Sequence, residues 1–238
     1  MNTLAPAADL AAKRSPVFDE SPAYAAARRD LLAAEIEARR VLTRLAEQRR
    51  ALPPGPVVMK DYRFRLADDR EVGLADLFGD HDTLVTYFWM YGPERERPCP
   101  MCTNYLGGLD GNARDVEQRA ALWVLGRSPV ARQLVFARER GWGALRFAQT
   151  IGEDYARDLG ALTPEGDEYP AFVVYRRDGD AVRVFYAAEM PMDAADPGQD
   201  PRGAVDIAPL WNILDMTPEG RGTDWYPRLD YPQSSSSS

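Results

Sequence analysis

The residues best suited to chemistry in this chain are its two cysteines, Cys99 and Cys102, spaced by Pro100 and Met101. If a helix begins there, the unpaired amides of its first turn and the positive end of its dipole stabilise a thiolate on Cys99. A depressed thiol pKa makes that sulfur the nucleophile. Pro100 suits a first helical turn, where its missing amide would go unpaired anyway. Cys102 lies three residues beyond Cys99, close enough to close an intramolecular disulfide after a slight relaxation of the turn. The expected cycle has Cys99 attacking a disulfide or an oxidised sulfur and Cys102 resolving the mixed disulfide. The competing reading is a pair of structural thiols, against which stands the use of both cysteines of the chain in one motif. Arg97 reads as a solvated loop residue, with positive charge beside Cys99 as its alternative role.

The elements that must hold this pair are legible on either side. Thr83 to Tyr91 is β-branched and aromatic with hardly a polar break, as expected of a strand covered on both faces. It runs through Gly92-Pro93 and a charged loop, Glu94 to Arg97, into the cysteines, after which a helix is expected. Ala121 to Gly126 reads as a second buried strand, and Pro129 to Arg140 as a helix stopped by Gly141. Ala171 to Tyr175 and Val182 to Tyr186 read as a hairpin about Arg177-Asp178-Gly179-Asp180. Ile207 to Met216 is the last expected helix. Earlier, Val57 to Leu66 and Val72 to Leu74 read as short strands around Asp68-Asp69, with a helical turn over Ala75 to Phe78. The fold class is therefore α/β, a mixed sheet flanked by helices.

Residues 1–20 are expected to form a loose arm. Ser21-Pro22 then opens a long N-terminal helix to about Ala51, because serine caps exposed amides and proline fits the first turn. Leu31, Ala34, Ala38, Val41 and Leu45 make an apolar seam at spacings of three and four, widened by Leu32, Ile36 and Leu42. That seam must pack on the body of the chain or on a second copy, so a homodimer through this helix is one expectation. Leu52-Pro53-Pro54-Gly55-Pro56 ends the helix. The expected organisation is a helix and linker over 21–55, an α/β domain over 56–232 and a flexible serine tail over 233–238.

A net charge of −8, from 37 acidic against 29 basic residues, opposes broad attraction to nucleic acid or to an anionic membrane. Apolar runs fall short of the roughly 20 residues a membrane helix needs, and the expected location is cytoplasmic. His81 and two thiols do not complete a zinc site, and Gly107-Gly108, Gly111 and Gly126 form no dinucleotide fingerprint. No cofactor or metal is expected. His81 itself, in Gly79-Asp80-His81-Asp82, reads as a loop residue rather than a base. Among the aromatic residues, Trp89 and Tyr91 are expected to line a substrate site where the strand end opens toward Cys99, while Trp123 and Trp142 are expected in the core.

Leu77-Phe78, Leu84 to Pro93, Cys99-Pro100-x-Cys102, Arg140-Gly141-Trp142 and Leu214 to Arg221 resemble a bacterial thioredoxin-like family, the domain of unknown function 899, over about Tyr24 to Tyr231. The resemblance implies a thioredoxin-like fold and a dithiol-disulfide oxidoreductase. It carries over Cys99 and Cys102 as the catalytic positions, acting on a thiol or disulfide substrate with a separate reductant. In thioredoxin-like folds a cis-proline precedes the strand facing the dithiol. Tyr169-Pro170 occupies that place and is expected to form a ledge for an extended substrate, the alternative being an ordinary trans-proline at a strand start. The chain departs from the family at Phe88 and near Leu229, where histidines are usual. A peroxidase is disfavoured by Glu96, which stands where a peroxidatic site prefers threonine. Rival readings are a tailoring enzyme acting on a small molecule through the same thiols, and a binding module with a silent dithiol.

Overall fold

A computed structural model describes residues 4–188, 190, 209–214, 216–217 and 226–231. The chain divides between Pro53 and Pro54 into two compact units.

In the first unit, a short helix α1 (Ala7–Ala11) lies within the segment expected to be a loose arm. Arg14 and Glu20 join side chains there, and burial of Ala11 explains why an unpatterned stretch is ordered. Helix α2 (Pro22–Arg50) starts as its sequence predicts, with the Ser21 hydroxyl accepting from the Tyr24 amide at 3.2 Å and Pro22 in the first turn. Leu31, Val41 and Leu42 on the apolar seam are more than half exposed.

In the second unit the strands form one seven-stranded sheet. In chain order they are β1 (Arg63–Arg65), β2 (Glu71–Gly73), β3 (Thr83–Trp89), β4 (Ala121–Gly126), β5 (Phe147–Ile151), β6 (Ala171–Asp178) and β7 (Ala181–Ala187). Their spatial order is β2-β1-β5-β4-β3-β6-β7. Helix α3 (Pro100–Val116) connects β3 to the parallel β4, and α4 (Val130–Glu139) connects β4 to the parallel β5. The hairpin β6-β7 lies antiparallel on the other flank of β3 and turns at Gly179, whose φ of 60° suits a residue without a Cβ. A 3-10 turn over Leu74–Phe78, where a helical turn was expected, and the short helices α5 (Asp154–Asp158) and α6 (Pro209–Leu214) also belong to the unit. The parallel β3-α3-β4 crossover beside an antiparallel hairpin is the thioredoxin-like arrangement. The expectation of a final helix over Ile207 to Met216 lies partly outside the described residues, as do most of Leu214 to Arg221 and the serine tail.

Strand β5 was not anticipated from the sequence. Phe147-Ala148-Gln149-Thr150-Ile151 is short and carries two polar residues, and it becomes a strand because β4 and β1 pair with it from either side. The alternation of β3 then divides the interior. Leu84 and Phe88 join Phe64, Tyr155 and Tyr175 on one face of the sheet, whereas Tyr87 and Trp89 join Cys102, Leu106 and Phe136 on the other. Helix α3 closes this second face with Cys102, Tyr105, Leu106, Leu109 and Ala113, at the spacings of three and four that make one helical stripe.

Candidate active site

Strand β3 delivers the chain directly to the dithiol. After Trp89 the backbone turns back, and the Cys99 amide donates to the Met90 carbonyl at 3.1 Å, tying the start of α3 to the end of the strand. Cys99 is the N-cap of α3 with Pro100 in the first turn. Its carbonyl accepts from the Thr103 amide at 3.0 Å and from the Thr103 hydroxyl at 2.9 Å. Both cysteines are free thiols; Cys99 is partly exposed, and Cys102 is 1% exposed.

Their electrostatics diverge. The Cys102 thiol hydrogen-bonds the Cys99 sulfur, and this contact together with the Cys102 and Met101 amides and the Arg95 charge holds the Cys99 pKa down to about 6 against the opposing effect of burial. Burial pushes Cys102 well up, and its bond to Cys99 does the same; the Tyr87 hydroxyl and the Met90 amide oppose that rise. At neutral pH the pair thus comprises one thiolate facing outward and one neutral thiol behind it.

The nearby positive charge is Arg95, not Arg97. Arg97 turns to Asp230 at 3.5 Å and over the Phe136 ring. Arg95 is held by Glu168, a buried carboxylate that no sequence signal marked. Glu168 accepts from the Gly92 amide, Arg95 Nε and Arg127 Nη1, each at 3.0 Å. A Cβ at position 92 would meet Glu168 Oε1 at 2.3 Å, so the loop from β3 to the dithiol needs glycine there to let the carboxylate approach. Arg127 also pairs with Glu153 at 3.0 Å. A pocket of about 280 Å³ opens beside this cluster, lined in part by Gly92, Arg95, Arg127 and Glu168.

Trp89 and Tyr91, expected beside a substrate, both lie in the core. Trp89 is fully enclosed by Tyr91, Phe136, Trp142 and Phe147, with ring centroids 4.9 to 5.8 Å away, and Tyr91 is itself 4% exposed. The strand end is roofed by α4 and by Trp142, which sequence alone does not place. Tyr169, by contrast, is 45% exposed. Pro170 follows it immediately before the Ala171–Phe88 pair, at the end of β3 from which the chain leaves for Cys99. His81 sits at the opposite end of β3, about 20 Å away along seven strand residues. Its carbonyl accepts from Arg177. Phe88 faces the side of the sheet away from Cys102, whereas Leu229 packs against the Cys102 side. Among the described residues, no cluster of three His, Cys, Asp or Glu side chains is placed to hold a metal ion, and no helix is long and apolar enough to cross a membrane.

Fold and site define a thioredoxin-like protein with a Cys-x-x-Cys pair at a helix N-terminus. The chain belongs to the family described as bacterial protein of unknown function (DUF899), which matches residues 13–231. No curated protein matches it. Similar solved structures include the reduced 2-Cys peroxiredoxin of Plasmodium vivax, at 17% identity over 56% of this chain and 81% of that one with a TM-score of 0.40. Peroxidoxin BcpB of Mycobacterium tuberculosis is 20% identical over 60% of this chain and 90% of its own, with a TM-score of 0.43. An exposed lipoprotein thioredoxin of Streptococcus pneumoniae is 16% identical over 57% and 94%, with a TM-score of 0.39.

Proposed function

We propose that the protein is a thiol-disulfide oxidoreductase. The observation that carries the reading is the split between a depressed, partly exposed Cys99 and a buried, protonated Cys102 on one helical turn. The Cys99 thiolate attacks one sulfur of a substrate disulfide; that S–S bond breaks, and the other half leaves as a thiolate that takes a proton from solvent. Cys102 then loses its proton and attacks Cys99 Sγ, releasing the first half and leaving a Cys99–Cys102 disulfide. Two electrons have passed from the dithiol to the substrate, and an external thiol or dithiol reductant restores the pair. Tyr169 and Pro170 serve as the ledge along which an extended substrate lies. For α2 we propose pairing with a second copy along Leu31, Val41 and Leu42, which Leu42→Asp should abolish in sedimentation.

The test is thiol trapping with mass spectrometry across glutathione redox buffers. Interconversion of Cys99 and Cys102 as a pair at one potential, with Cys99 trapped first, supports the reading. Two thiols that stay reduced throughout refute it and leave the dithiol structural.

A further inference from the structure

Tyr87 is fully buried on β3, and among the described residues its hydroxyl completes no hydrogen bond while both cysteines are free thiols. An uncompensated hydroxyl in a dry core costs free energy, so what it faces matters. Its neighbour is sulfur. Tyr87 lies in the cluster that holds Cys102, its ring is 6.3 Å from that of Tyr105 on the same α3 stripe, and its hydroxyl lies near enough to the Cys102 thiol to oppose the rise of that thiol's pKa. Among the described residues, Cys99 and Tyr87 are the titratable groups that act on Cys102 and the Met90 amide is the backbone donor; Tyr105 acts on Tyr87, and Arg95 acts on Cys99. A thiolate formed on Cys102 therefore has the Tyr87 O–H as the side-chain donor on its buried flank.

We propose that Tyr87 is a catalytic residue whose hydroxyl donates a hydrogen bond to Cys102 whenever that sulfur carries negative charge. The proposal rests on the dithiol reading above. In the reductive half of the cycle a thiolate of the reductant attacks Cys99 Sγ. The new S–S bond forms there, the Cys99–Cys102 bond breaks, and its electron pair stays on Cys102. Charge is conserved, because the incoming thiolate's charge now sits on Cys102, where the Tyr87 hydroxyl receives it until solvent supplies a proton. The same contact serves the oxidative half, when Cys102 must lose its proton to attack Cys99. The phenol stays neutral throughout, since burial and the neighbouring sulfurs hold its own pKa well up.

Tyr87→Phe removes the oxygen and keeps the ring. The expected result is a second-order rate of reduction of the oxidised protein by dithiothreitol about tenfold slower than in the parent, the effect of losing roughly one hydrogen bond to charge. The equilibrium with glutathione should stay within about twofold, because Cys102 carries no charge in either resting state. Thermal unfolding should be unchanged or slightly raised. Equal reduction rates overturn the proposal, as does a rate loss matched by a lower melting temperature, which marks a packing role. If the parent dithiol never oxidises, the dithiol reading has failed, and the hydroxyl is then judged separately. In that case the Cβ chemical shift of isotope-labelled Cys102 is titrated in Cys99→Ser with and without Tyr87→Phe. A Cys102 titration that ignores Tyr87→Phe overturns the contact itself.

Discussion

Replacing Cys102 by alanine removes the sulfur that makes the largest contribution to the depressed Cys99 pKa. A hydrogen bond to a charged group contributes about 1.5 to 3 kcal/mol, and one pKa unit corresponds to about 1.36 kcal/mol. The Cys99 midpoint should therefore rise from about 6 by roughly one to two units. Thiolate reactivity grows with basicity at a slope of about 0.4 to 0.5, so the alkaline plateau rate should also rise, by about three- to tenfold. The two effects make the pH–rate curves of parent and variant cross, the variant reacting more slowly in acid and faster in base. The assay is the rate of iodoacetamide labelling of Cys99 against pH, read by mass spectrometry. Cys102→Ser is the control, because its hydroxyl keeps a donor and should hold the midpoint within about half a unit of the parent. If alanine and serine variants both titrate where the parent does, the helix amides and Arg95 set the pKa without Cys102, and the reasoning fails. An ordinary thiol midpoint in the parent refutes the site electrostatics altogether.

Arg95→Met should raise the Cys99 labelling midpoint by about half a unit, whereas Arg97→Met should leave it in place; the opposite pattern would restore Arg97 as the nearby charge. Glu168→Gln breaks a buried carboxylate–arginine pair and should lower unfolding stability by about 2 to 4 kcal/mol, seen as a melting temperature about 4 to 16 °C lower; a loss under about 2 °C would contradict the role given to Glu168. Cys99 has a folded pKa below its unfolded value, so the unfolded state binds the extra proton between them and stability rises with pH. Relative to Cys99→Ser, the reduced parent should gain up to about 3 kcal/mol between about pH 6 and pH 8.5, the gain being lost as pH falls through 6. Denaturant unfolding across that range reads it, and a flat difference would contradict the depressed pKa.

Much of the site was legible because it is local. The run before the cysteines reads as a strand covered on both faces because of its β-branched and aromatic content, and Cys99-Pro100 reads as a helix start because proline and a cap belong there. The hairpin about Gly179 and the cap at Ser21 follow from the same short-range rules. Strand β5 was not legible, since its identity comes from neighbours brought in by β1 and β4. Glu168 lacked a signal because a lone acid gains meaning only when Gly92, Arg95 and Arg127 converge on it. The burial of Trp89 and Tyr91 was not legible for a related reason. Alternation tells which face a strand residue takes, but whether a strand end is open or roofed depends on Phe136 and Trp142, far along the chain.

By itself the sequence determined that two thiols share a helical turn after a buried strand, and hence which sulfur could be the nucleophile, because helix-start chemistry and strand patterning act over a few residues. The tertiary structure decided which arginine reaches that sulfur, which carboxylate holds the arginine, and which hydroxyl stands behind the second cysteine. Glu168 lies 73 positions from Arg95, Tyr87 and Cys102 sit on separate elements, and even Arg95, close to Cys99 in sequence, is held by that distant carboxylate, so only the closing of the sheet and of α3 over it sets these distances.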